Sequence, residues 1–399
     1  MRFLKSKLLI LAFFMLLCYF FSNDFGLIDI EKTAIVTAIG IDKNEKTGYT
    51  VTLQIAVPEA NGVTSENAKA VIKGNGKTVA EAIQKIGEES GWYPKLSFCN
   101  LVLIGSNMFD SDIMVAIDYF IRTIKIQDSA LLAGVENRAE DFMEKATPLD
   151  NISSFSLQKI LLKKPGMTQN TLTTDIKEFA LGYYSRTGSS FMPYIKIIPV
   201  ENSEQNSQNS KNNEQKNGAP PDSEKVVFDA SSTLLLKNGK VLETLSKEET
   251  LSALYSKRKI KDSTITVDKV LLNGKETDFL LNVIKTDYSV KTTIKDGKIV
   301  LSIKEKVFVK VADETDKTTE TGYLPLSIVP KEVCLKLEND LIKSLSKAIE
   351  KSIKTKCDLF SSDLDLYRFN NKEYKKLNGD FFNNLSCEIA VDVYGQKRL

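Results

Sequence analysis

The 399-residue chain contains no histidine. That absence removes Ser-His-Asp and Cys-His catalysis, imidazole metal sites and histidine-based pH switching. Cysteine is scarce, at Cys18, Cys99, Cys334, Cys357 and Cys387, and no C-x-x-C occurs. Zinc ribbons and thioredoxin-type redox motifs therefore have no support. The last four cysteines are irregularly spaced in a chain too long to need staples, and they read as small buried hydrophobes. An excess of either charge is also missing: 54 Lys+Arg face 52 Asp+Glu, for a net charge of +2. Such a chain has no long-range field to attract nucleic acid or acidic substrates. Tryptophan occurs once, at Trp92. What is present is ordinary for globular protein, 42% hydrophobic and 27% charged, and long enough for two or three domains with their own cores.

The one long apolar run lies at the N-terminus. Arg2, Lys5 and Lys7 precede fourteen unbroken apolar residues, 8–21. This length suits a signal h-region and falls short of the ~20 residues of a relaxed span. Phe3, Leu4 and Phe25 extend it, Tyr19, Phe20 and Phe21 give it an interfacial aromatic end, and Tyr19 and Phe20 are candidates for membrane contact. The basic flank places the N-terminus in the cytoplasm and the remainder outside. The run ends in "CYFFSNDFG", with no small residues placed for cleavage. The expectation is an uncleaved signal anchor over residues 1–28.

From residue 29 the hydrophobic period becomes two. "TAIVTAIGID" and "YTVTLQIAVP" read as strands joined by the turn "DKNEKTG". In "GNGKTVAEAIQKIGEES", Thr78 and Glu81 form a capping box, with Val79, Ala82, Ile83 and Ile86 on one helix face. "KLSFCNLVLIG" reads as a strand. "SDIMVAIDYFIRTIKI" reads as a helix facing inward through Ile113, Ile117, Phe120, Ile121 and Ile124, and "SALLAGVE" as a further strand. Two helices follow, around residues 153–164 and 174–183. Residues 201–224 hold no large apolar residue and read as a disordered polar linker.

A second region opens with strand, Asn238-Gly239 turn, strand, and a capping box from Ser246 to Glu249. Further strands follow, with a tight turn at Asp296-Gly297. An amphipathic helix over residues 330–356 carries Leu337, Leu341, Ile342, Leu345, Ile349 and Ile353 on one side. "SCEIAVDVYG" alternates as the last strand. This region reads as antiparallel β with a long helix packed on the sheet. The fold class expected for the whole is α+β: multi-domain, mixed β-sheets with packed helices, and an N-terminal membrane anchor. The folded parts span residues 29–200, a strand–helix alternation typical of a mixed sheet, and residues 225–399.

No motif carries catalysis. "GNGKT" lacks the spacing of a phosphate loop and reads as a turn feeding a helix cap. "GIDKNEKTG" offers only Asp42 and Glu45 and no bidentate glutamate, so it reads as a hairpin turn. Asp363 and Asp365 in "SSDLDLYRF" are a possible acid–base pair or a solvated face. Trp92 in "ESGWYPKLSF" is either a partly buried ring or an aromatic anchor for a partner.

Taken in order, "EKTAIVTAIGIDK", "YTVTLQIAVP", "GKTVAEAIQKI", "LSFCNLVLIG", "AIDYFIRTIKIQDSALLAGVENRAEDFM", "VVFDASSTLLLKNGKVLETLSKEET" and "CDLFSSDLDLYRF" resemble the Ger(x)C-type C subunits of spore germinant receptors. The resemblance runs from about Ile30 to the last strand. It implies three domains of mixed sheets and helices on the outer face of the inner spore membrane. It also implies no enzymatic activity, a complex with two integral-membrane subunits, and a part in the response to small nutrients. Family members usually carry a lipidated cysteine shortly before the "AIVTAIGID" strand. Here that place, near Asp24, has none. Cys18 lies too early, with Leu17 where a small residue is needed, so no lipidation site is assigned. Catalytic, cofactor-binding and metal residues are likewise assigned to none, and no nucleic-acid partner is expected. Two rivals stand: a tethered extracytoplasmic solute-binding protein, which needs a cleft with convergent polar groups, and a cell-wall enzyme using Asp363 and Asp365.

Overall fold

The computed structural model describes residues 7, 10–17, 33–56, 69–123, 126–162, 170–199, 226–272, 274–295, 298–315, 328–375 and 381–396. The readings made of Cys18, Tyr19, Phe20, Asp24, Ile124, residues 201–224 and Asp296-Gly297 lie outside them. Residues 10–17 are helical and exposed. Among the described residues no helix is long and apolar enough to cross a membrane.

The first region alternates strand and helix. In chain order it comprises β1 (Thr33–Asn44), β2 (Gly48–Ala56), β3 (Lys69–Gly76), α1 (Val79–Ser90), β4 (Tyr93–Lys95), β5 (Leu101–Ile104), α2 (Ile113–Thr123), β6 (Leu131–Val135), α3 (Ala139–Glu144), α4 (Ser153–Leu161), β7 (Thr174–Asp175), α5 (Ile176–Tyr183) and β8 (Ser189–Pro199). Two further strands, β9 (Val226–Lys237) and β10 (Lys240–Leu245), extend the same sheet, whose order is β10-β9-β8-β6-β5-β1-β2-β3. Its middle is parallel, through β1–β5, β5–β6 and β6–β8, and its flanks are antiparallel. Parallel strands need crossovers, and helices supply them on both faces. Helices α1, α2 and α5 bury Val79, Ile117 and Phe179 on one face. Helices α3 and α4 bury Phe142, Met143 and Leu157 on the other.

A bulge in β1 decides which side chains go where. Val36 faces the first layer, the register shifts between Val36 and Ala38, and Ile39 and Ile41 then take that layer while Ala38 faces the second. One extra residue inverts the alternation. In β2, Val51, Leu53 and Ile55 face the first layer, but Thr52 and Gln54 are fully buried as well. The second layer therefore holds a polar network. Gln54 Nε2 donates to Met143 O and Ser153 Oγ, both at 2.8 Å, and its Oε1 accepts from Ser154 N at 3.0 Å.

The second region follows α6 (Lys247–Lys257) with β11 (Lys261–Leu272), β12 (Lys275–Lys295), β13 (Lys298–Glu314), α7 (Lys331–Lys354), α8 (Ser362–Phe369), α9 (Asn371–Tyr374) and β14 (Leu385–Gly395). The sheet order is β11-β12-β13-β14. The sequence reading made this region antiparallel. The pairing of β13 with β14 is instead parallel, from Ile299↔Leu385 to Val309↔Gly395. Alternation along β14 reports its faces, not its direction, and α7 provides the crossover that a parallel neighbour requires. Helix α7 buries Val333, Leu337, Leu341, Leu345 and Ile349 in one core with α6 and all four strands. Ile342 and Ile353 are only partly buried there.

Local signals are mostly expressed as read. The β1–β2 hairpin closes at Asn44↔Gly48. Asn238 and Gly239 hold φ of 49° and 74° between Lys237 and Lys240, as a two-residue hairpin turn demands. Ser246 and Glu249 make both arms of the capping box. At α1 only one arm matches: Thr78 accepts from Glu81 N, while the Glu81 carboxylate takes Lys77 N. The strand expected over "KLSFCNLVLIG" is broken. Tyr93–Lys95 is one short strand, Leu96–Phe98 a 3-10 turn, and Leu101–Ile104 a second strand. The helix expected from residue 174 starts at Ile176, because Asp175 caps it by accepting from Glu178 N at 2.6 Å.

Candidate functional site at the junction of the two sheets

The segment after α7 joins the two sheets. Cys357 Sγ lies 3.5 Å from Ser190 O on β8, and Asp358 N donates to Ser189 Oγ at 2.8 Å. Asp358 then organises the entry to α8, which starts from left-handed Ser361 and has no side-chain cap of its own. Its two carboxylate oxygens accept from Ser362 N at 2.9 Å and Asp363 N at 2.8 Å. Burial raises the Asp358 carboxyl above the usual range, and those two N–H donors oppose the rise. Asp363 is buried and accepts from the Tyr374 hydroxyl. Burial, then that bond, pushes the Tyr374 phenol up to about 12.

A cleft of 560 Å³ opens beside this segment, between α5, β8, the end of α6 and α8. Its two cations differ from its three carboxylates. Lys257 Nζ donates to Leu359 O at 2.7 Å and stands 4.7 Å over the Phe191 ring. Burial lowers its ammonium below the usual lysine range. Arg186 stacks its guanidinium on Tyr374 at 4.8 Å and Tyr367 at 5.6 Å, and its N–H groups make no hydrogen bond among the described residues. Among the described residues neither cation has a carboxylate within ion-pair distance, although the Glu178 and Asp358 charges act on Lys257 from farther off and oppose the fall. The carboxylates are engaged: Asp358 by backbone N–H groups, Asp363 by Tyr374, and Glu178 by Arg258 at 3.5 Å. The rim is apolar and exposed, with Leu181 on α5, Tyr184 at its C-cap, and Leu364 and Tyr367 on α8.

The acid–base reading of Asp363 and Asp365 does not survive this geometry. Residues two apart on a helix project to opposite sides, and Asp363 is buried while Asp365 is half-exposed. The cysteines are poor nucleophiles. Cys99, Cys334 and Cys357 are buried and free, and burial raises the Cys99 and Cys357 thiols to about 12. Among the described residues no three His, Cys, Asp or Glu side chains are grouped to hold a metal. "GNGKT" is the end of β3 and the cap of α1, and Asp42 caps α3 instead of binding an ion. Sequence reading missed Lys257, Arg186 and Asp358. The visible signal was "CDLFSSDLDLYRF", whose buried and exposed residues become legible only against α5 and β8.

Comparison with known proteins agrees with this architecture. The GerBC protein, seen in its crystal structure, has the same fold at a TM-score of 0.50 and 16% identity, over 92% of this chain and 99% of that one. Spore germination protein KC of Bacillus subtilis (strain 168) is 21% identical over 379 residues, 92% of this chain and 88% of that protein. Residues 27–197 match the family model described as spore germination protein N-terminal domain. Residues 231–395 match that described as spore germination B3/GerAC like, C-terminal. The two halves of one family thus follow in order over most of the sequence, and the chain belongs to the GerAC-like spore germination proteins, a family of germinant receptor C subunits.

Proposed function

We propose that the protein is a membrane-anchored, extracytoplasmic, non-enzymatic subunit of a spore germinant receptor, assembled with the receptor's two integral-membrane subunits. The observation that carries the reading is the rim of the junction cleft. Leu181, Tyr184, Leu364 and Tyr367 expose apolar surface from two helices around one concavity, which is the form of a protein contact. The carboxylates beneath that rim are committed to structure, which leaves them no acid–base role. The N-terminal apolar run supplies the attachment. Co-purification of tagged protein from spore membranes tests the assembly: two polytopic proteins should accompany it, and fewer should do so after Leu181→Ser with Tyr367→Ser. Deleting the gene in a strain with no second receptor tests the role, and unchanged germination with every nutrient would sink it.

The same cleft gives the solute-binding reading a specific footing. Among the described residues neither Lys257 nor Arg186 has a carboxylate within ion-pair distance, although Glu178 and Asp358 lie close enough to act on the Lys257 charge, and both cations sit between apolar walls. This arrangement suits a small organic carboxylate. Calorimetric titration of the full chain with 3-phenylpropionate and with its uncharged amide separates the two readings. Saturable binding of the acid alone supports the solute-binding function, and silence with both leaves the cleft to protein contacts.

A further inference from the structure

A second exposed aromatic group lies far along the sequence from α8, at the start of β1. Helix α1 ends at Gly91, whose left-handed φ of 71° turns the chain outward. Trp92, Tyr93 and Phe98 follow, exposed to 48%, 41% and 53%. Strand β4 then pairs in parallel with the first residues of β1, Thr33 with Tyr93 and Ile35 with Lys95. Paired residues point to the same face of a sheet. Tyr93, Lys95 and Ile35 therefore share one face, and all three are exposed there. Lys95 Nζ stands 5.8 Å over the Phe98 ring, which ties Phe98 to the group.

The position of this patch identifies its occupant. It borders Thr33, the first residue of β1, and the apolar run of residues 8–21 lies only eleven residues upstream. Eleven residues span at most roughly 40 Å when fully extended. The composition fits the same site. Trp and Tyr have amphipathic rings that settle at headgroup depth, and a lysine keeps its stem on apolar surface while its ammonium reaches phosphate. We propose that Trp92, Tyr93, Lys95 and Phe98 insert into the headgroup layer of the membrane that holds the N-terminal segment, and so fix which side of the first sheet faces the lipid. The inference rests on the anchored reading of the N-terminus.

Trp92 is the only tryptophan, so its fluorescence reports this patch alone. The full chain is reconstituted into phosphatidylcholine–phosphatidylglycerol vesicles, plain or with acyl chains brominated near the headgroup. Co-flotation of protein with the vesicles is measured on the same samples. The expected result is co-flotation, loss of most Trp92 emission in brominated vesicles, and weaker quenching after Lys95→Glu with Phe98→Ser. Co-flotation with undiminished emission overturns the inference and spares the anchor. If acrylamide is then also unable to quench Trp92, the patch is covered by protein instead of lipid. Failure to co-float overturns both the patch and the anchor.

Discussion

The carboxylate of Asp42, fully buried on β1, receives the backbone N–H of Ala139 at 2.9 Å across ninety-seven residues of sequence. Its second oxygen receives Glu140 N at 3.2 Å. One side chain thereby caps α3 and seats it on the sheet. Neighbouring glycines make the room. A Cβ at Gly105 would stand 2.0 Å from Asp42 Oδ1, and one at Gly40 would stand 3.0 Å from the Ala139 methyl. The "AIGID" stretch is thus explained by packing.

Asp42→Ala should destabilise the protein by about 1–3 kcal/mol, because two buried N–H groups lose their acceptor. Asp42→Asn keeps one acceptor oxygen and should lose less. Urea unfolding followed by circular dichroism measures both. An Asp42→Ala protein as stable as the parent would show that the cap does not matter.

Gln54 and Thr52 lie on the same buried face of β2 with opposite hydrogen-bonding states. Gln54 makes three bonds, whereas Thr52 Oγ1 has no partner among the described residues. Gln54→Leu should be costly, by about 2 kcal/mol or more, since Ser154 N loses its acceptor and Met143 O keeps only the longer bond from Ser153 Oγ. Thr52→Val should be neutral or stabilising within about 1 kcal/mol. Thermal melts of the two variants decide the matter.

Glu305 on β13 is buried in the second core, bonded to Ser256 and with Oε2 unpartnered among the described residues. Burial pushes its carboxyl up to about 7, from 4.5. The folded state therefore holds a proton that the unfolded chain releases above pH 4.5. Stability falls as pH rises from 4.5 to 7 and then levels, by about 3 kcal/mol at full ionisation. Glu305→Gln should remove this fall and be the more stable protein at pH 8. Unfolding midpoints from pH 5 to 8 test it, and parallel curves for parent and variant would refute it.

Asp358→Ala should loosen the α8 entry, because Ser362 N and Asp363 N lose their acceptors. The expected cost is about 1–3 kcal/mol. Amide exchange should quicken over residues 358–366 while β1–β3 stay protected. Uniform acceleration across the chain would contradict a local role.

Sequence read well where short-range chemistry decides. Asn238-Gly239 needs only its own φ angles, and the Ser246–Glu249 box needs only four residues. The broken strand at Tyr93–Ile104 was hidden because an apolar run does not show that Leu96–Phe98 tightens into a 3-10 turn. Direction was hidden in β14, since Ile389 and Val391 face the core whichever way the strand runs. The junction cleft was hidden most deeply. Lys257 and Arg186 are ordinary basic residues in sequence. Only the return of residues 357–367 to β8, more than 150 residues back, brings the two cations to one cleft and shows them without an ion pair among the described residues.

The parallel closure of the second sheet bears on how such a chain can be made. Hairpin β12–β13 is complete as soon as Glu314 is available, but the strand that covers its outer edge is the last one in the sequence. A chain emerging from its N-terminus therefore carries an open row of backbone donors and acceptors along β13 until about eighty further residues have followed. An unguarded edge of that length is a template for another chain. Helix α7 comes earlier and shields the face of the sheet, not its border. The stretch from Ile299 to Val309 is accordingly where an interrupted or slowly exported chain is most exposed to aggregation.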